Sequence, residues 1–157
     1  RPDLNPLFTF AVPGYNMRNQ ELNAVLGLEQ LKRLNYNCDK RRDNFKTWVD
    51  SLNSDKFFVD FHQNGNSNFA LPLVLKEKDL ELFEKCCILL EEQNVEYRVG
   101  TAGGGNQARQ PYLDKYNFIA HDLSNVDHIH DFGLYIGNHP ELVDKDIVNL
   151  CKELNNL

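Results

Sequence analysis

The 157-residue sequence is 41% hydrophobic and 25% charged, with 10 Phe and 6 Tyr, which suits one domain with a real core. Its formal net charge of −6 argues against a general nucleic-acid binder, which would carry a basic stripe. No apolar run approaches the ~20 residues of a membrane-spanning helix, so no membrane partner is expected. No signal peptide is visible. The opening Arg1-Pro2-Asp3, with Met17 as the lone methionine, reads as a piece of a longer polypeptide or a processed product.

Pro2, Pro6, Pro13 and Gly14 forbid a continuous helix at the start, and Leu7 to Phe10 reads as a short extended arm. A helix is predicted from Asn19 as N-cap, with Leu22, Val25, Leu26, Leu28, Leu31 and Leu34 at helical spacing. Gly27 inside that wide stripe implies close packing against another element. A second helix, about 38–52, places Phe45, Trp48, Val49 and Leu52 on one face, with the basic Lys40, Arg41, Arg42 and Lys46 opposite as a solvated face. Two strands, Phe57–Phe61 and Asn68–Leu75, flank a turn-rich segment containing Asn64-Gly65 and are predicted to pair antiparallel. Asp79 caps a helix with Leu82, Phe83, Cys86, Cys87, Leu89 and Leu90 inward, and Val95–Val99 is a strand. Ser124-x-x-Asp127 reads as a capping box, Gly133–Gly137 as a strand, and Asp144 as the cap of a last helix with Ile147, Val148, Cys151 and Leu154 inward. This order predicts an α+β fold, a two-layer sandwich.

Cys38, Cys86, Cys87 and Cys151 form no C-x-x-C pair, so they read as reduced, mostly buried thiols in a cytoplasmic protein. The histidines are not clustered for a metal, and no metal site is expected; His128 and His130 point to different faces of their helix.

The most informative stretch is Arg98–Tyr112, RVGTAGGGNQARQPY. Gly103, Gly104 and Gly105 allow the backbone unusual conformations or close approach, and guanidinium groups beside them suit anionic, hydroxyl-rich ligands. A plain surface loop is the competing reading. The formal match to a dinucleotide fingerprint fails, because Pro111 blocks the helix that would receive the pyrophosphate. No Gly-Lys-Ser/Thr phosphate loop exists. His62, His121, His139 and Glu96 are too scattered to assemble acid–base chemistry, so the chain reads as a ligand-contacting domain. Asn16 and Arg18, just before a helix N-terminus, make a reasonable phosphate site, with a simple turn as the alternative.

These residues carry a resemblance. GYNMRNQELNAVLGLEQLKRL resembles the GYNxRxxExxAAxGxxQLxxL segment of the DegT/StrS-type, pyridoxal-phosphate-dependent sugar-nucleotide aminotransferase family. NVEYRVGTAGGGNQARQPY and DFGLYIGNHPEL look like its branch of 4-keto-6-deoxy sugar 3-dehydratases, and the triple glycine is most similar to the form acting on GDP-4-keto-6-deoxymannose. The resemblance covers nearly the whole chain. It implies that residues 1–157 are the small C-terminal domain of the aspartate-aminotransferase (fold type I) architecture, with 1–34 an arm and linking helix toward a large domain. It implies pyridoxal or pyridoxamine 5′-phosphate as cofactor, a GDP-4-keto-6-deoxymannose-like nucleotide-sugar as ligand, and a homodimer. Asn16 matches the asparagine that reaches across the dimer interface to the cofactor phosphate, and Arg18 the arginine of the same motif. Glu96 and Arg98 fall where the dehydratase branch lines the sugar-nucleotide site; Arg109 and Gln110 are expected as substrate contacts or loop-positioning residues. No catalytic residue is assigned, because the defining lysine or histidine would lie upstream, and the isolated chain is expected to be inactive. A sugar-nucleotide aminotransferase of the same family, or a stand-alone binding or interaction module, are the alternatives.

Overall fold

Three short antiparallel strands, β1 (Ala70–Val74), β2 (Tyr97–Val99) and β3 (Gly133–Gly137), lie in the order β1-β3-β2. The computed structural model describes residues 4–12, 14, 20–103, 105–116 and 121–157. Leu71 faces Ile136 and Leu73 faces Leu134 across one ladder, while Tyr97 faces Ile136 and Val99 faces Leu134 across the other. Side chains alternate along a strand, so this register puts all six on one face of the sheet. That face buries against α2 (Leu34–Ser51), α3 (Leu80–Glu92) and α5 (Asp144–Asn155), with Trp48, Cys86, Leu90, Ile147, Cys151 and Leu154 in the same cluster. Each large apolar side chain taken fully out of water contributes about 1.5–3 kcal/mol. Pro72, Tyr135 and Arg98 share the other face, so the helices form a single covering layer and the sandwich is two-layered, as the sequence predicts.

Local chemistry explains the ends of the elements. Asp79 accepts a hydrogen bond from the Leu82 N–H at 2.9 Å and starts α3, and Asn94 ends it in the left-handed conformation (φ 54°). Pro72 is admissible because β1 is an edge strand, and its carbonyl accepts the Trp48 indole N–H at 2.7 Å. A buried amide pair fixes the chain after β3. Asn44 on α2 donates to Asn138 Oδ1 and to the His139 carbonyl at 3.0 Å each, and Asn138 donates to the Arg41 and Asn68 carbonyls at 3.0 and 2.8 Å.

Several expectations need correction. Residues 57–61 are not a strand: Phe57 makes one isolated bridge to Leu75, and β1 pairs instead with β3. Edge-to-face contacts of Phe61 with Phe58 (4.9 Å) and with Phe45 of α2 (5.9 Å) turn the segment back on the helix before a ladder can form. The turn at Gly65 is present (φ 76°), but it does not join a hairpin. Residues Pro6–Phe8 form a 3-10 turn, not an extended arm, because Asn5 caps it through the Leu7 N–H at 3.0 Å. The first helix, α1 (Glu21–Leu31), has Gln20 at its N-cap; Asn19 lies outside the described residues. Its stripe is open to solvent, with Leu22, Val25, Leu26, Leu28 and Leu31 all more than half exposed, and nothing approaches Gly27 within 4 Å. The second helix begins earlier than predicted, at Leu34. In α4 (Ser124–Phe132) Ser124 is not a cap: its own N–H is taken by the Asp122 carboxylate at 2.9 Å, and Asp127 is engaged elsewhere. Asp144 is the first residue of α5 and not its cap, and Val148 is 44% exposed.

Candidate functional site

The stretch from Arg98 to Tyr112 leaves the edge strand β2 and folds onto α4. Gly100 adopts a positive φ of 57°, which turns the chain back so that the Gly105 N–H donates to the Gly100 carbonyl at 2.8 Å. Gly105 is itself wedged: a Cβ there would stand 2.5 Å from His130 Nδ1 and 2.7 Å from the Gly100 oxygen. Gly100 and Gly105 thus serve a tight turn and close approach against α4, while Gly104 lies outside the described residues.

His130, buried beneath the loop, accepts the Asn106 N–H on Nδ1 at 3.0 Å. Asn106, 5% exposed, uses the rest of its side chain as a bracket. Its Oδ1 accepts from the Ala108 N–H at 2.8 Å and caps a 3-10 turn over Gln107–Arg109, while its amide donates to Asp127 at 2.8 Å. Arg109 completes the bracket. Its guanidinium donates to Asp127 at 2.8 Å and, in a two-pronged pair, to both Asp131 oxygens at 2.7 and 2.9 Å. The Asn106 amide, then Arg109, hold the Asp127 carboxyl below the usual carboxylate range; Arg109 does the same for Asp131, and the two carboxylates push the arginine further up.

Gln110 is fully buried and faces the N-terminal arm. It donates to the Phe8 carbonyl and accepts from the Phe10 N–H, both at 2.8 Å. Arg98 contacts the same arm, its guanidinium 6.0 Å from the centre of the Phe8 ring, and pairs with Glu96 at 2.5 Å. Both of these side chains are well exposed, at 46% and 77%.

The structure therefore sorts the sequence-predicted residues into two sets. Glu96 and Arg98 stand together at the surface, Arg109 and Gln110 hold the loop from within, and Asn16 and Arg18 lie outside the described residues. Sequence reasoning missed Asn106, Asp127, His130 and Asp131. The acidic pair does carry a signal, since Asp127 and Asp131 are one helical turn apart and so share a face. His130 and His128 do diverge: His128 Nε2 lies 2.6 Å from the Leu75 carbonyl, away from the loop. Among the described residues no group of three or more His, Cys, Asp or Glu could hold a metal ion, and no helix is long and apolar enough to cross a membrane.

Residues 5–155 match the model of the DegT/DnrJ/EryC1/StrS aminotransferase family. The chain belongs to that family. A curated relative, the GDP-4-keto-6-deoxy-D-mannose 3-dehydratase of Yersinia pseudotuberculosis, is 30% identical over 149 residues, which are 91% of this chain and 37% of the relative. Among solved structures, the E. coli GDP-4-keto-6-deoxy-D-mannose-3-dehydratase with bound hydrated PLP superposes with a TM-score of 0.76 at 25% identity, covering 94% of this chain and 38% of that one. A mutant GDP-4-keto-6-deoxymannose-3-dehydratase with bound GDP-perosamine gives 0.74 at 25% identity, with the same coverage of 94% and 38%. The chain spans little more than a third of these proteins. Its three-stranded, helix-backed fold is thus shared with PLP fold-type I enzymes of the family.

Proposed function

We propose that this chain is the small domain of a pyridoxal- or pyridoxamine-phosphate-dependent enzyme that removes the 3-hydroxyl of a 4-keto-6-deoxy sugar nucleotide, in deoxysugar and polysaccharide biosynthesis. The observation that carries the reading is the likeness to 3-dehydratases in both sequence and fold across nearly the whole chain.

Within that enzyme the chain holds and orients. Glu96 and Arg98 offer an acceptor and a charged donor at an exposed edge, a combination suited to sugar hydroxyls and to phosphate. The closed loop behind them, braced by Asn106, Arg109 and His130, keeps those groups at fixed positions, and positioning is where a non-reacting domain contributes rate. Asn16 and Arg18 supply an amide and a guanidinium, a donor set that fits the cofactor phosphate, and the arm that precedes them is docked on the loop. The cofactor, when bound, supplies the electron sink for breaking the C3–O bond. The proton acceptor belongs to the part of the enzyme outside this sequence. Homodimerisation, with Asn16 serving the neighbouring subunit, belongs to the same proposal. So does a cytoplasmic setting, which the four free cysteines support.

The test uses the whole protein with pyridoxamine phosphate and GDP-4-keto-6-deoxymannose, followed by mass spectrometry. The sugar product should lack the 3-hydroxyl, and Arg98→Ala should weaken GDP-sugar binding. Nitrogen transferred to the sugar would make the protein an aminotransferase. Ligand binding without turnover would leave only a binding module.

A further inference from the structure

Helix α4 presents two sides. Asp127 and Asp131, one helical turn apart, hold Arg109 and through it the loop. Asn125, His128 and Ile129 recur at i, i+3 and i+4, so they share the other side, and there they line a cleft of about 550 Å³. Phe58 and Phe61, whose rings meet edge to face at 4.9 Å, supply a second wall, and residues 74–76 run along the floor as the chain leaves β1.

The floor keeps its own hydrogen bonds. Toward the phenylalanine wall, the Val74 carbonyl accepts the Phe58 N–H at 2.8 Å and the Lys76 N–H donates to the Lys56 carbonyl at 2.9 Å. Toward α4, the Leu75 N–H donates to the Phe132 carbonyl at 3.0 Å, and His128 Nε2 lies 2.6 Å from the Leu75 oxygen. What the cleft offers an occupant is therefore mainly apolar, and Phe58 and Ile129 remain 41% and 36% exposed within it. A concave, mostly apolar site with a few placed polar groups is the usual form of a small-molecule site. Its charge has one sign. Lys76 and Lys78 line the cleft, whereas their neighbours Glu77 and Asp79 line a different part of the surface, with Lys85. Among the described residues neither Lys76 nor Lys78 forms an ion pair, while Lys32, Lys46 and Lys85 each pair with a carboxylate three or four residues away.

We propose that this cleft binds a small amphipathic anion: an apolar chain or ring seated among Phe58, Phe61, Val74 and Ile129, with one acidic group at Lys76 and Lys78. Each half of the site excludes another class of ligand. A sugar or a bare inorganic anion gains nothing from the phenylalanine and isoleucine surfaces, and an apolar amine is repelled by both lysines. Lysine offers a point charge without a planar fork of donors, so the site selects the sign of the head group and the apolar walls set how tightly the ligand is held. The occupant lies across α4 from the loop, so the site is separate from the surface of Glu96 and Arg98 and does not depend on the functional reading above.

The experiment titrates the whole protein with octanoate, hexanoate and octylamine by calorimetry, and follows octanoate by methyl NMR. Octanoate should bind and shift the methyl signals of Val74, Leu75 and Ile129, about tenfold more tightly than hexanoate, which is two methylenes shorter. Octylamine should bind about tenfold more weakly than octanoate. The double variant Lys76→Glu, Lys78→Glu should reverse that order; both side chains are exposed and unpaired, so the fold should be kept. Phe58→Ala should weaken octanoate about tenfold, and if that variant does not fold, the lysine variant alone decides. No octanoate binding to the whole protein overturns the proposal, as it would if another part of the enzyme covered the cleft. Methyl shifts confined to other residues also overturn it. So does octanoate affinity that the lysine reversal leaves unchanged, since the cleft would then be an apolar patch without charge selection.

Discussion

His130 Nδ1 lies 2.5 Å from the point that a Cβ on Gly105 would occupy, while the Gly100 carbonyl crowds the same point at 2.7 Å. The second contact is backbone, so no rotation of the histidine ring alone makes room. Gly105→Ala should therefore force the loop off α4 and cost about 1–3 kcal/mol, read as a lower denaturant midpoint. Gly27→Ala is the contrast, because nothing lies within 4 Å of Gly27 and it sits inside α1. There the substitution should stabilise the helix by up to ~1 kcal/mol. Equal midpoints for the two variants would contradict the closed-loop geometry.

What was legible in the sequence follows from whether a signal is local. The α3 cap at Asp79 and the strand at Gly133–Gly137 come from residues that act on their immediate neighbours, and both are in place. The strand predicted at 57–61 fails for a non-local reason: its phenylalanines find partners in each other and in Phe45, while β1 finds its ladder some 60 residues further on, in β3. Asp127 fails similarly as a capping residue. Its spacing from Ser124 is right, but Asn106 and Arg109 hold its carboxylate, and nothing within α4 announces that. The α1 stripe is legible as a helix, yet its apolar side chains are exposed, so periodicity alone located the helix and not its cover. At the site, the glycine run and the two arginines were visible, whereas the roles of Arg98 as surface group and Arg109 as internal brace depend on which carboxylates the fold brings near.

The brace on α4 should be pH-dependent in a defined direction. Asp127 and Asp131 both have lowered pKa values in the fold, so their contribution is complete above the ordinary carboxylate range and is lost as pH falls through the lowered values. Arg109→Gln should cost on the order of 1 kcal/mol at neutral pH, since the carboxylates are 42% and 45% exposed and water screens the pairs. That difference should shrink as the pH is taken below about 4. Urea denaturation of both proteins across the range checks it, and a gap that widens on acidification would contradict the ion-pair account.

The Asn44–Asn138 contact predicts non-additivity. Asn138, 2% exposed, donates to the Arg41 and Asn68 carbonyls and accepts from Asn44, so Asn138→Ala removes three hydrogen bonds centred on one buried amide. A loss of about 2–4 kcal/mol is expected, given roughly 0.5–1.5 kcal/mol for each hydrogen bond. Asn44→Ala removes the donor of the same pair, and the double variant should lose less than the sum of the singles. Additive losses would mean that the two amides act independently.

Thiol chemistry offers a test of the core that needs no substitution of it. Burial pushes the Cys86 and Cys151 thiols up to about 12, and burial also raises Cys87. Only the thiolate attacks, so at pH 8 the thiols at Cys86 and Cys151 are held in the unreactive protonated form, before access is considered. Access is closed too, since both are fully buried, and Cys151 Sγ sits 3.9 Å from the Trp48 carbonyl. Cys38, partly exposed on α2, should therefore react first with an aromatic disulfide reagent, and Cys38→Ser should abolish the fastest phase. Cys87 should follow more slowly, and Cys86 and Cys151 should react only at the rate of global unfolding, rising steeply with denaturant. Modification of Cys86 at the pace of Cys38 in the native protein would mean that α3 does not seal the face of the sheet formed by Leu71 and Leu134.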